Sequence, residues 1–120
     1  MLSRTHRFIG PNSLRFVYGR GKTIRGPLFS VKYALNQQRS SYRVAVVVSR
    51  KVCKSAVGRN RMRRRVYAAI QGLGTQINGS YDIVITIFQP ELLDIPSAEL
   101  NQQLQRQLLT AGVLSKRVKV

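Results

Sequence analysis

No carboxylate side chain precedes Asp82, although residues 1–81 carry 17 of the 21 Lys and Arg of this 120-residue chain. Whatever these residues fold into must therefore hold its positive charge without an acidic partner from the same two thirds of the sequence. Such a surplus opposes compaction through self-repulsion, and a polyanion is the partner that relieves it. The acids Asp82, Glu91, Asp94 and Glu99 only balance the four basic residues that lie beyond position 81, so the formal net charge of +17 belongs to the first part. Fifteen of the 21 are Arg, whose planar fork of donors suits phosphate oxygens and stays charged at any physiological pH. The densest stretch, Lys51 to Arg65, holds seven positive charges and sets Asn60 between Arg59 and Arg61.

A hydrophobic fraction of 43% argues against a disordered basic tail. The length suits one domain spanning residues 1–120, with an ordered core over about 8–114 and flexible basic ends. The single cysteine, Cys53, excludes an intramolecular disulfide and suits a reducing, cytoplasmic setting. No apolar run approaches the roughly 20 residues of a membrane span, so no membrane partner is expected. Met1 to Arg25 is Arg-rich and acid-free, as transit peptides are. The same composition continues to residue 81, so this segment reads as part of the mature protein.

Along the chain, Pro11-Asn12-Ser13 opens a short helix in which Leu14, Val17 and Tyr18 recur at helical spacing, and Gly19 and Gly21 stop it. Gly26-Pro27 is turn chemistry. From Leu28 to Leu35 the residues alternate, with Phe29, Val31, Tyr33 and Leu35 on one face and Ser30, Lys32 and Ala34 on the other. Asn36 to Ser41 reads as a polar hairpin loop, and Tyr42 to Ser49 as a strand with Val44, Val46 and Val48 opposite Arg43, Ala45 and Val47. Met62, Val66, Ala69, Ile70 and Leu73 make a helical stripe. Tyr81 to Phe88 is apolar on both faces apart from Asp82 and Thr86, the pattern of a central strand. Ser97 is placed to cap a last helix carrying Leu100, Leu104 and Leu108, and Gly112 closes it. The order is roughly α-β-β-β-α-β-α, an α+β sandwich with a small mixed sheet and helices packed on one face.

Val48-Ser49-Arg50-Lys51-Val52, followed by Lys54-Ser55-Ala56-Val57-Gly58-Arg59-Asn60-Arg61-Met62-Arg63-Arg64, resembles the signature of the bacterial ribonuclease P protein subunit. Val17-Tyr18, Gly21, Gly26, Tyr81-Asp82-Ile83-Val84 and the Leu-rich last helix fall in the same order as that family's landmarks. The resemblance implies a small accessory protein bound to a catalytic RNA, the pair removing the 5′ leader of precursor tRNA with Mg²⁺ held mainly by the RNA. It implies an RNA-facing surface of Arg50, Lys51, Lys54, Arg59, Asn60, Arg61, Arg63, Arg64 and Arg65. It further implies a cleft for the single-stranded leader at Leu14, Tyr18, Phe29 and Lys32, and a left-handed crossover between parallel strands. Four positions depart from the family pattern. Cys53 stands where Gly is usual, Leu14 where Phe is common, Lys32 where an aromatic is common, and Tyr67 where Arg is usual.

Two points stay open at this level. Either face of the Leu28–Leu35 strand could line the cleft, and Asn60 could be a helix cap or a satisfied polar residue, or donate to phosphate or ribose. Four carboxylates, one His (His6) and one Cys give no triad and no metal cage, so the polypeptide alone is not expected to cut RNA. A ribosomal or other structural RNA-binding protein would explain the charge but not the ordered signature, and no second helix at helix-turn-helix spacing supports a DNA regulator. No obligate protein partner is indicated.

Overall fold

The computed structural model describes residues 17–19, 21–35, 42–73, 77 and 80–113, so Leu14 and the expected loop at 36–41 lie outside the described residues. The elements are β1 (Lys22–Arg25), β2 (Phe29–Leu35), β3 (Arg43–Val48), helix α1 (Ala56–Leu73), β4 (Tyr81–Ile87), a 3₁₀ turn (Pro90–Leu93) and helix α2 (Ser97–Ala111). Residues 17–19 are helical and lead into β1.

The strands lie in the order β1-β2-β4-β3. β1 with β2 and β2 with β4 are antiparallel, and β3 with β4 is parallel, joined through α1. The strand that is apolar on both faces therefore occupies an interior position, and Ile83, Val84 and Ile85 are fully buried there. This corrects the hairpin expected between the second and third strands: β2 and β3 do not pair, because β4 lies between them. Alternation along a strand reports which face is buried and carries no information about which strand lies beside it. The hairpin that does form is β1–β2, where the Gly26 N–H donates to the Phe29 carbonyl at 3.0 Å.

One sheet face carries the main core. Phe29, Val31, Val44, Val46, Val48, Ile83, Ile85 and Ile87 meet Met62, Val66 and Ile70 of α1 and Leu100, Leu104 and Leu108 of α2. Both long helices thus pack on one side, as their stripes require. On the other side Val17 closes over Val84, with Ala45 and Val47 beside it. Gly21 makes that approach feasible. A Cβ there would stand 2.4 Å from the Val17 carbonyl oxygen and 2.9 Å from that of Tyr33, distances no side chain tolerates.

The last helix is capped one residue earlier than expected. Pro96 holds the N-cap position with no side-chain cap bond, and Ser97 is the first helical residue. A proline entering a helix supplies a preset φ instead of a capping oxygen. At the other end Gly112 adopts the left-handed conformation, φ 83°, and its N–H donates to the carbonyls of Leu108 and Leu109.

Candidate nucleic-acid interface

The signature segment folds as a turn followed by the start of α1. Its local geometry rests on Ser55, whose Oγ accepts the Gly58 N–H at 3.1 Å and so caps the helix. Replacing Ser55 with Ala is expected to lower stability by about 1 kcal/mol, whereas Thr retains most of it. A urea midpoint unchanged in the Ala variant would show that this cap contributes nothing. Cys53, at the position where the family usually has Gly, needs no special backbone: no described non-Gly residue has positive φ.

The basic residues divide into two groups. Arg59 donates from one nitrogen to the carbonyls of Cys53 and Lys54, both at 2.9 Å, fastening the turn to the helix. Asn60 Oδ1 accepts from Arg63 at 2.7 Å, and its side chain stays exposed. Arg65 departs furthest from its expected place on the RNA surface. Its guanidinium donates to the carbonyls of Leu92 (2.6 Å), Leu93 (2.9 Å) and Ile95. It is spent on holding the 3₁₀ segment against α1. Arg50, Lys51, Lys54, Arg61 and Arg64 are exposed, and their charged groups bond to no other described residue. The tied arginines shape the surface, and these five present its charge.

Tyr67, where the family usually has Arg, has a structural use. Its hydroxyl accepts the Val46 N–H at 3.3 Å, covering part of edge strand β3.

Strand register defines the sheet face away from the long helices. Arg25, Ser30, Thr86 and Val47 form one row, Thr23, Lys32, Val84 and Ala45 the next, and Ala34, Asp82 and Arg43 the third. Lys32 is on this face, with its Nζ 5.6 Å from the centroid of the exposed Tyr18 ring. Phe29 is not: it is fully buried in the main core, so its expected place in the cleft is corrected. Neighbours on a strand point to opposite faces, so a cleft containing Lys32 excludes Phe29. Leu14 is outside the described residues. The sequence reading missed a pairing on the same face, Arg25 stacked 4.3 Å over the Phe88 ring. Only register brings these together, and no local motif marks them.

Asp82 is fully buried in the third row, and Arg43 grips it with two bonds, Nε to Oδ1 at 2.9 Å and a terminal nitrogen to Oδ2 at 2.7 Å. Burial pushes the phenol of neighbouring Tyr42 above its ordinary 10.0. Glu99, on α2 across the sheet, accepts instead from Gln103 at 3.2 Å. No three His, Cys, Asp or Glu among the described residues gather as a metal site.

A small α+β protein whose uncompensated charge is positive and gathers at one turn and the helix that follows it is built as a nucleic-acid binder. The comparisons agree. The ribonuclease P family model matches residues 2–112. The ribonuclease P protein component of Chloroflexus aurantiacus is 35% identical over 113 residues, covering 94% of this chain and 82% of the relative. That of Roseiflexus castenholzii is 33% identical over 113 residues, with 94% and 91% covered. Among solved structures, the Staphylococcus aureus RNase P protein matches with TM-score 0.81 at 21% identity, covering 92% of this chain and 98% of that one. The Thermotoga maritima RNase P protein matches with TM-score 0.77 at 21% identity, covering 95% and 98%. These two likenesses speak to the fold. The chain belongs to the ribonuclease P protein family, and with membership comes a role in tRNA processing.

Proposed function

We propose that this chain is the RNA-binding subunit of a ribonuclease P ribonucleoprotein and assists a catalytic RNA in removing the 5′ leader of precursor tRNA. The observation that carries the reading is the set of five cations at residues 50–64 whose charged groups bond to nothing else in the described protein, in a chain of this family. They meet the phosphates of the RNA subunit. The sheet face away from the long helices takes the single-stranded leader, with Tyr18 and Lys32 at one side and the Arg25–Phe88 pair at the other. An aromatic ring gives a base a stacking surface of any sequence, and the lysine gives its phosphate a counter-charge. Lys32 in place of the usual aromatic shifts that grip from stacking toward phosphate.

The chemistry falls to the RNA. The described carboxylates do not fit a resident Mg²⁺ site: Asp82 is held by Arg43, and Glu91 and Asp94 stand on the short 3₁₀ segment apart from Glu99. In this reading the RNA holds the Mg²⁺ and supplies the catalytic groups. The cytoplasm is the compartment that suits the role, since a lone thiol has no disulfide to lose there. A structural RNA-binding role in the ribosome would account for the charge, but the family match does not favour it.

The test is precursor-tRNA cleavage at low Mg²⁺ with a bacterial ribonuclease P RNA alone, the protein alone, and both. Cleavage at the mature 5′ end only in the mixture is expected. Tight RNA binding with no stimulation would defeat the proposal, and cutting by the protein alone would defeat the assignment of chemistry to the RNA.

A further inference from the structure

Of the arginines at 59, 61, 63, 64 and 65, the two whose guanidinium groups bond to no other described residue, Arg61 and Arg64, line the same groove. It runs between α1 and α2 and encloses about 630 Å³, within the roughly 300–1,000 Å³ of small-molecule sites. The groove exists because α1 turns its smallest residues toward α2 there. Ala68 and Gly72 follow Arg64 at four and eight residues, on one helix flank. A Cβ built on Gly72 meets nothing within 4 Å. Half-buried Leu73 adds apolar surface from α1, while Asn101 and Gln105 of α2 set two exposed amides along the rim. Glu99, the acid in the first turn of α2, does not line the groove and bonds to Gln103.

This combination has a definite complement. Two neighbouring guanidiniums select a phosphate. An apolar floor accepts an aromatic ring, and amides with both donors and acceptors suit the edge of a base. We propose that the groove between α1 and α2 binds one unstacked nucleotide of RNA, its phosphate on Arg61 and Arg64 and its base over Ala68, Gly72 and Leu73. The proposal rests on the reading of this helix as RNA-facing and adds to it a pocket that takes a base, where charge alone would only follow the backbone.

The test uses the full chain. Adenosine 5′-monophosphate, adenosine and inorganic phosphate are titrated against it by amide NMR, and affinity for a bacterial ribonuclease P RNA is measured in parallel. The monophosphate is expected to bind at least tenfold tighter than inorganic phosphate and to shift Gly72, Asn101 and Gln105, which phosphate alone leaves in place. Gly72→Leu fills the groove from a position with free space and raises helix propensity, so it folds. It should abolish the advantage of the monophosphate, keep phosphate binding, and weaken RNA affinity about tenfold, the range of one lost base stack, at unchanged salt dependence. Equal binding of monophosphate and phosphate overturns the proposal. So does a Gly72→Leu protein that binds the RNA as the parent does; if that variant had still lost the monophosphate, the occupant would be a free nucleotide. Failure of the underlying reading is separately visible, because the parent protein would then not stimulate cleavage at all.

Discussion

Replacing Arg43 with Met is expected to destabilise the fold by about 3–5 kcal/mol, the largest single effect anticipated for this chain. Asp82 is completely buried and takes two short bonds from Arg43, whose own side chain is 14% exposed. The substitution leaves a carboxylate in the sheet without its guanidinium, and desolvating that charge is what costs stability. Changing both residues together, Arg43→Met with Asp82→Leu, removes the charge as well and should recover most of the loss. Urea midpoints of the two variants check this. A single variant within about 1 kcal/mol of the parent would class the pair with solvent-screened surface bridges.

RNA affinity should fall steeply with salt, because cations on phosphate displace bound counterions. Five untied cations give a slope of about 3.5–4.5 log units per log unit of salt, so raising salt from about 50 to about 200 mM weakens binding about 100- to 500-fold. The tied and untied arginines should separate in this experiment. Arg61→Gln and Arg64→Gln should each lower the slope by about 0.7–0.9. Arg65→Gln should leave the slope in place and lower the melting temperature, since its guanidinium serves the carbonyls of Leu92, Leu93 and Ile95. A slope that falls equally for all three would mean that the bonds of Arg65 do not withdraw it from the RNA.

The elements of the fold were legible wherever periodicity reports burial. The stripe of Met62, Val66, Ala69 and Ile70, the alternation of Val44, Val46 and Val48, and the two-faced Tyr81–Ile87 strand all occupy the places their patterns require. Strand neighbours were not legible, since pairing β4 between β2 and β3 depends on contacts far apart in sequence. The candidate site divides along the same line. The cationic stretch was plain in composition, whereas the loss of Arg65 to carbonyls 27–30 residues away was not. Alternation set Phe29 and Lys32 on opposite faces, but which face stays open is decided by the helices, through Leu100, Leu104 and Leu108 packing over the Phe29 side. Arg25 and Phe88 carried no local signal, because register alone makes them neighbours.

The interior position of β4 also governs the order in which the molecule can be assembled. β2 and β3 both pair with a strand that begins at Tyr81, so their ladders cannot close until the chain beyond that residue has left the ribosome. A nascent chain that stops short of it has one hairpin, β1–β2, and a valine-rich strand with no partner. It also has nearly all of its positive charge and, lacking Asp82, no acid to hold Arg43. Long-range pairing of this kind delays folding, because loop closure must precede the contacts that reward it. The cationic two thirds of this protein therefore emerge as a strongly basic, largely unpaired segment, and the strand that turns them into a surface arrives only after them.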